Sequence, residues 1–216
     1  QDLIASNNVT LSGIGTLSGA GTQRVDAQGG TFSVSQAMTK ASGNLILAGA
    51  SALDLNADIT ATAGTLTLED NFTSSGNLTS GTGMTFSGSA TLDGVNQVID
   101  AGTGTLLANA VTKTTAGNLT VDADTLISLS SDIDVQIGNL IFNDPLDADG
   151  NVIASGTITF NSTASLIGNV TGQGITRNGV LTLDGAVDQT INAGTGTLQT
   201  NAAVTKTGNG ALNLAA

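Results

Sequence analysis

A short motif recurs along the chain: a glycine, one further residue, and then an apolar–polar–apolar step. Alternation of this kind, as in Leu66-Thr67-Leu68, places apolar residues on one face of a β-strand and threonine on the other. Many gaps between the motif glycines are 18 to 23 residues. We therefore expect coils of about twenty residues, each made of two or three short strands. The motif glycines are Gly43, Gly64, Gly117, Gly138, Gly156 and Gly179.

The composition restricts such coils to a core of thin side chains. Among 216 residues there are 29 glycines and five phenylalanines, with no tyrosine or tryptophan. Glycine, threonine, serine and asparagine are poor or mediocre helix formers and recur every few residues. We predict one all-β array over residues 1–216, a single-stranded right-handed parallel β-helix (β-solenoid) of about ten coils with about 20 residues per coil. Its predicted core is Leu45, Leu47, Leu66, Leu68, Leu119, Val121, Leu140, Phe142, Ile158, Phe160, Leu181 and Leu183.

A longer repeat is superimposed on the short motif. Three related blocks occupy residues 16–47, 91–121 and 182–214, and they begin 75 and 91 residues apart. Each opens on Thr-Leu, continues through an Ile/Val-Asp/Asn-Ala centre and closes on Val/Met-Thr-Lys. The three lysines of the chain, Lys40, Lys113 and Lys206, occupy the same slot of the three blocks. We therefore predict a structural role for these lysines and a block of roughly four coils.

Gly-Asn pairs precede several predicted strands. Glycine and asparagine tolerate the positive φ angles of a corner. In a stack of coils, asparagines at equivalent corners could lie above one another and hydrogen-bond along the axis, as amide ladders do. The alternative is ordinary turn chemistry without a ladder. The candidate ladder positions are Asn44, Asn77, Asn118, Asn139 and Asn169.

The segment Thr-Lys-Thr-Gly-Asn-Gly-Ala-Leu-Asn-Leu at 205–214 resembles the strand repeat of bacterial autotransporter passenger domains. Thr39–Leu47 and Thr112–Val121 resemble it more weakly, and the overall texture is similar to filamentous-haemagglutinin-type adhesins. The resemblance implies a right-handed parallel β-helix, secretion to the cell surface, and a role as a stalk or adhesin.

Several function classes are excluded or disfavoured by residue content. The chain has no histidine and no cysteine, so histidine-dependent nucleophilic catalysis and disulfides are absent. A net charge of −12 opposes nucleic-acid binding, and no run of 18 apolar residues is present to insert into a membrane as a helix. We expect no enzymatic activity and no cofactor.

A carbohydrate-active site is one hypothesis that remains open beside a purely structural role. Asp132 with Asp134, or Glu69 with Asp70, could serve a carbohydrate-active β-helix enzyme as paired carboxylates. The chain has no tryptophan or tyrosine to support a sugar ring, which disfavours that hypothesis.

A weak calcium candidate and a possible ice-binding surface complete the alternatives. Asp147, Asp149 and Asn151 imitate the opening of a calcium loop, although Ile158 stands where a bidentate acid is required. Rows of threonine would suit an ice-binding β-solenoid. The candidate pairs are Thr65 with Thr67, Thr103 with Thr105, Thr157 with Thr159, and Thr195 with Thr197.

The expected function follows from the ends of a solenoid, where strand edges are unpaired unless something covers them. Neither end of the sequence contains a recognisable cap. We expect a structural or adhesive segment of an extracellular, cell-surface bacterial protein or fibre. Its expected partner is a second copy stacked end to end, or further coils of a longer chain, and host or surface glycans are left open as a second partner class.

Overall fold

The computed structural model describes all 216 residues as a three-sided β-solenoid without any helix. Thirty-two short strands follow one another around the axis, and each pairs in parallel with the strands three positions before and after it. The strands build three parallel sheets, here named A, B and C, of 11, 11 and 10 strands. Accordingly, the chain contains no helical segment that could cross a lipid bilayer. The predicted all-β parallel solenoid is confirmed.

The strands of each sheet succeed one another in chain order. Sheet A contains β1 (Leu3–Ala5), β4 (Gln23–Ala27), β7 (Leu45–Gly49), β10 (Leu66–Leu68), β13 (Met84–Phe86), β16 (Thr105–Ala108), β19 (Leu126–Leu129), β22 (Leu146–Ala148), β25 (Ala164–Leu166), β28 (Leu181–Leu183) and β31 (Val204–Lys206). Sheet B contains β2 (Val9–Leu11), β5 (Thr31–Val34), β8 (Ala52–Leu55), β11 (Phe72–Ser74), β14 (Ala90–Leu92), β17 (Val111–Lys113), β20 (Ile133–Val135), β23 (Val152–Ala154), β26 (Val170–Thr171), β29 (Gln189–Asn192) and β32 (Leu212–Ala215). Sheet C contains β3 (Gly15–Leu17), β6 (Met38–Lys40), β9 (Ile59–Ala61), β12 (Leu78–Ser80), β15 (Gln97–Asp100), β18 (Leu119–Asp122), β21 (Leu140–Phe142), β24 (Ile158–Phe160), β27 (Ile175–Arg177) and β30 (Leu198–Thr200).

The core is a single column of alternate side chains along the axis. In most strands the first and third residues are buried and the middle residue faces outward. All twelve core residues predicted from the sequence belong to one cluster of 48 buried residues. All five phenylalanines lie inside it, and the rings of Phe142 and Phe160 stack in register with centroids 5.5 Å apart.

The coils differ in length, and the corners absorb the difference. Register partners in sheet A are 17 residues apart between Ala164 and Leu181, and 23 apart between Leu181 and Val204. The strands keep their registers because their hydrogen bonds and inward side chains fix them. Insertions therefore appear only where the chain turns between sheets.

Glycine is required at corners where one coil passes close to the next. Gly117 and Gly138 stand at equivalent corners with φ angles of 122° and 139°. A Cβ on Gly117 would lie 1.6 Å from the carbonyl oxygen of Val95, and one on Gly138 would lie 1.9 Å from that of Gly117. Such contacts are impossible without moving backbone, so the glycine content follows from the close stacking of coils.

The equivalent strands of the three long repeats lie on three different faces of the solenoid. Within each repeat, the opening Thr-Leu strand pairs with the closing Thr-Lys strand of the next coil, which aligns Leu17 with Lys40 and Leu92 with Lys113. The closing strands are β6 in sheet C, β17 in sheet B and β31 in sheet A. They lie eleven and fourteen strands apart, neither a multiple of three. These separations are close to the four coils expected for a block, and each block is turned by one face relative to the previous block.

The alternation of inward and outward side chains in β24 gives a first test of the fold. We expect Ile158→Ala to lower the free energy of unfolding by about 2–5 kcal/mol, since it leaves a cavity in a fully buried row. The outward neighbour Thr159→Ala is the control, with an expected loss below about 1 kcal/mol. Urea unfolding followed by circular dichroism measures both. Equal losses in the two variants would contradict the inward–outward assignment.

Candidate functional site

The repeated lysines end inside the solenoid, where each binds backbone carbonyls at a corner. Lys40 and Lys113 are fully buried. The Nζ atom of Lys113 donates to the carbonyl oxygen of Thr115 at 2.8 Å and also to that of Gly94 in the preceding coil. The Nζ atom of Lys40 donates to the carbonyl oxygens of Gly19 and Ser42. Lys206 in β31 binds the equivalent Gly185. Burial lowers the pKa of Lys113, and no carboxylate forms an ion pair with it.

A buried glutamine completes the same corner in two of the repeats. The Oε1 atom of Gln97 accepts a hydrogen bond of 3.0 Å from the N–H of Gly94, while its Nε2 donates to the carbonyl oxygens of Ser74 and Gly76 at 2.8 and 3.0 Å. Gln189 binds Gly185 and the preceding coil in the same way. We call each set of glycine, glutamine and lysine a corner clamp.

The first repeat contains an incomplete corner clamp. Gln23 has the same place in the repeat as Gln97 and Gln189, but its buried Oε1 has no partner. These glutamines were not among the predicted site residues, although their shared slot in the repeats could have revealed them. Arg177 is a fourth inward-facing base, and its guanidinium donates to Gly179, Ala202 and Ala203 carbonyls at 2.8–3.3 Å. Burial lowers the pKa of Arg177.

The predicted asparagines all bond along the axis, mostly to backbone. The Oδ1 atoms of Asn44, Asn77, Asn139 and Asn169 each accept an N–H from the following coil at 2.7–3.1 Å. Only one hydrogen bond joins the side chains of two predicted ladder positions: Asn139 Nδ2 donates to Asn118 Oδ1 at 3.0 Å. Gly-Asn corners therefore tie neighbouring coils together without one continuous amide row.

A continuous amide ladder lies instead at the end of the sheet C strands. The Nδ2 atom of each asparagine donates to the Oδ1 of the asparagine one coil earlier, at 2.8–2.9 Å, and the first of them donates to Asp122 at 3.2 Å. The ladder consists of Asn143, Asn161, Asn178 and Asn201. These asparagines follow their strands, whereas the asparagines predicted to form a ladder precede theirs.

Three carboxylates gather at the foot of this ladder. Asp122, Asp124 and Asp144 each place an oxygen within 4.8 Å of the others, and they are the one such group in the molecule. A hydrogen bond with Asp122, followed by burial, raises the pKa of Asp144, and its Oδ2 accepts the N–H of Ala123 at 2.9 Å. The geometry would accommodate a divalent cation through oxygen ligands, or a proton held between two carboxyls.

The calcium candidate from the sequence is divided between two surfaces. Asp147 lies in β22 and, with Asp149, belongs to the exposed side of sheet A. Asn151 precedes sheet B, where its side chain bonds Asp132 at 3.2 Å and Asn169 at 2.9 Å. The amide of Asn151 is therefore already engaged between coils.

Three of the four carboxylates of the proposed sugar-cleaving pairs, Asp132, Asp70 and Glu69, are likewise engaged in structural contacts. Asp132 accepts the N–H of Asn151 at 2.7 Å, and Asp70 accepts that of Gly49 at 3.0 Å. The carboxylate of Glu69 accepts a hydrogen bond of 2.6 Å from Arg24 Nη2, and this ion pair lowers the pKa of Glu69. A general acid for glycoside cleavage needs the opposite shift.

The outer surface is anionic and carries no aromatic ring. Of the five bases, Lys40, Lys113 and Arg177 are fully buried, and Arg24 is paired with Asp26 and Glu69. Most of the 17 acidic residues consequently have no cationic neighbour. The largest concavity is an open groove of about 430 Å³ on sheet A, and it is lined by Leu126, Pro145, Leu146, Asp147, Thr163, Ala164, Ser165, Val180, Thr182 and Asp184.

The two ends of the solenoid expose unpaired backbone edges. Strands β1, β2 and β3 have no neighbour on one side, and β30, β31 and β32 have none on the other. Their outward residues include no charge, and the side chains of Leu3 and Leu214 are 48% and 57% exposed. Edges of this kind normally carry charges, proline or a covering element when association is avoided.

Comparison with known proteins yields no relative: no family model, no curated protein and no solved structure matches this chain.

The corner clamp gives the second test. We expect Gln97→Leu to lower the free energy of unfolding by about 1–3 kcal/mol, because it leaves the Gly94 N–H without its partner and removes one donor from each of the Ser74 and Gly76 carbonyl oxygens. The exposed Gln136→Leu is the matched control and should change stability by less than about 0.5 kcal/mol. Denaturant unfolding measures the difference, and a stable Gln97→Leu protein would contradict the role of the clamp.

The carboxylate group gives the third test. A carboxyl group whose pKa is raised in the folded state makes the free energy of unfolding increase as the pH falls through that raised pKa toward the ordinary value of the group. Asp144→Asn should remove this contribution and stabilise the protein at pH 7 by up to about 1 kcal/mol, since like-charge repulsion is relieved. Thermal unfolding from pH 4 to 8 measures it, with exposed Asp147→Asn as the control. A destabilised Asp144→Asn protein at pH 7 would contradict the assignment.

Proposed function

We propose that this chain is a structural or adhesive segment of an extracellular bacterial surface protein or fibre. The observation that carries the proposal is the continuous column of parallel-paired coils, in which each strand pairs with the strand three positions further along the chain. Such a column is extended by further coils of its own polypeptide or by a second copy. The resemblance of the Thr-Lys-x-Gly strand motif to autotransporter passenger domains supports the surface location.

The interior chemistry supports a mechanical role. Polar groups that an enzyme would direct toward a substrate are directed here toward neighbouring coils. The corner clamps, the asparagine ladder and most of the 128 backbone hydrogen bonds join each coil to the next one. A segment built in this way keeps a fixed length and direction, which suits a spacer that holds an adhesive surface away from a cell.

The anionic exterior supports the same role. Like charges along the sides of a rod oppose lateral association, whereas the ends carry unpaired strands and exposed leucines. Growth along the axis is therefore favoured over sideways aggregation. End-to-end contacts between different surfaces do not close on themselves, so they generate open filaments.

The carbohydrate-active alternative receives little support. All five phenylalanines are buried, so the groove on sheet A offers no ring on which a sugar could stack. Sugar release that Asp132→Asn or Asp134→Asn abolishes would establish the alternative.

Ice binding is a second candidate, favoured by one column of outward threonines. Thr16, Thr39, Thr60 and Thr79 occupy register positions of four successive coils in sheet C. The threonine pairs singled out in the sequence do not extend this column. Thermal hysteresis that Thr39→Val combined with Thr60→Val reduces would support ice binding.

Particle shape is the fourth test. Ten coil-to-coil steps of about 4.8 Å predict a rod about 50 Å long for a single chain. Negative-stain microscopy at increasing protein concentration should show rods that lengthen by whole multiples of this unit. Strictly monomeric particles at the highest concentration would contradict self-assembly, and compact round particles would contradict the elongated segment itself.

A further inference from the structure

The single proline of the chain stands directly after one of the three clustered carboxylates. Pro145 follows Asp144 at the corner between β21 in sheet C and β22 in sheet A. The nitrogen of this peptide bond belongs to a tertiary amide and carries no hydrogen, so it accepts a proton more readily than an ordinary peptide nitrogen. The side chain of an aspartate also reaches the carbonyl carbon of its own residue through a five-membered ring. An Asp–Pro bond is therefore the peptide bond most easily broken by a neighbouring acid.

The side chain of Asp144 is held in place from the preceding coil. Its Oδ2 accepts the N–H of Ala123 at 2.9 Å, and its carboxyl group hydrogen-bonds with that of Asp122. Two carboxyl groups can hydrogen-bond only when they share a proton, so the pair contains one carboxylate and one carboxylic acid. Asp124 adds a third acidic group, and no base forms an ion pair with any of the three.

The bond itself is accessible to reaction. The carbonyl oxygen of Asp144 accepts no backbone N–H, whereas that of Pro145 accepts the N–H of Ile127 at 2.7 Å. The carbonyl carbon of Asp144 is therefore not fixed by pairing between coils. Pro145 lines the open groove of about 430 Å³ on sheet A, so water reaches the far side of the bond.

We propose that this chain cleaves its own Asp144–Pro145 bond in mild acid, with Asp144 as the nucleophile and Asp122 as the neighbour that holds the proton. A carboxylate oxygen of Asp144 attacks the carbonyl carbon of the same residue, and the C–N bond breaks as the shared proton passes to the nitrogen of Pro145. The products are a cyclic anhydride at Asp144 and the free amine of Pro145. One water molecule then hydrolyses the anhydride to two carboxyl groups, one of which returns a proton to the pair.

The reaction needs exactly one proton on the pair, and this determines its pH dependence. Cleavage stops when the shared proton is lost at higher pH, and it slows when both carboxyl groups are protonated. Asp122 and Asp124 face the site from the preceding coil, and Asp147 and Asp184 line the groove beside it. Residues 161–163 of the following coil do not titrate. Because the hydrogen bond within the pair raises its pKa, the fastest cleavage should lie above the ordinary pKa of aspartate.

The fold would hold the two fragments together after cleavage. The cut lies at a corner and leaves β1–β21 in one fragment and β22–β32 in the other. Strands β22, β23 and β24 pair with β19, β20 and β21 across the cut. The fragments therefore remain one column until it is unfolded or pulled apart. The site gives the column a point of separation that needs no protease, and it does not depend on the proposed surface role.

Incubation of the purified chain between pH 4 and pH 7 tests the proposal. We expect two fragments on a denaturing gel, with the smaller one beginning at Pro145 by mass spectrometry. Asp144→Asn should abolish cleavage in mild acid because the nucleophile is removed. Asp122→Asn should slow cleavage by about 100-fold and move its optimum to lower pH, because the shared proton is lost. Asp149→Asn, an exposed carboxylate outside the cluster, is the matched control and should cleave at the original rate.

The unchanged chain unfolded in urea at the same pH gives a comparison that needs no variant. An Asp–Pro bond in an unfolded chain hydrolyses slowly in acid, so the folded chain should be cleaved at least about tenfold faster. An intact chain throughout the pH range would overturn the proposal. Equal rates in the folded and unfolded chains, or in the original chain and Asp122→Asn, would also overturn it, since the bond would then owe nothing to the cluster.

Discussion

Parallel hydrogen bonding between one coil and the next is the interaction on which the whole molecule depends. Each interior strand finds its partners in the coils before and after it, so no strand is stabilised within its own coil. The column is therefore narrow and admits mainly aliphatic side chains, and four of its five phenylalanines meet another ring. Corners must pass each other at the same spacing, which explains why glycine stands where a Cβ would meet a carbonyl oxygen.

Much of this fold could be predicted because alternation is a local property. The sequence Leu66-Thr67-Leu68 carries its own assignment of inward and outward faces, and the predicted core is buried throughout. The faces on which the larger repeats lie could not be predicted, because the coils vary in length. Without the register of each coil, Lys40 and Lys113 could not be assigned to different sheets.

The polar contacts between coils were harder to predict for the same reason. The ladder that ends at Asn201 depends on residues from five successive coils, and its spacing in the sequence is irregular. The role of Gln97 depends on a turn three residues away and on carbonyls of the preceding coil. Nothing in the local sequence marks Asp122 and Asp144 as neighbours, because the proximity arises from stacking.

The distribution of charge connects the fold with the proposed function. Buried bases satisfy corner carbonyls in the interior, while unopposed carboxylates cover the sides of the rod. The sides of neighbouring rods therefore repel one another. A surface segment that must extend without aggregating sideways would benefit from this division.

The parallel register between coils can be measured directly by nuclear Overhauser contacts in the isotopically labelled protein. We expect backbone contacts of Thr91 with Thr73 and with Thr112, residues that are remote in sequence but adjacent in sheet B. Contacts that instead pair β14 in an antiparallel hairpin with β13 or β15 would contradict the solenoid, and with it the account of the ends, the clamps and the fibre.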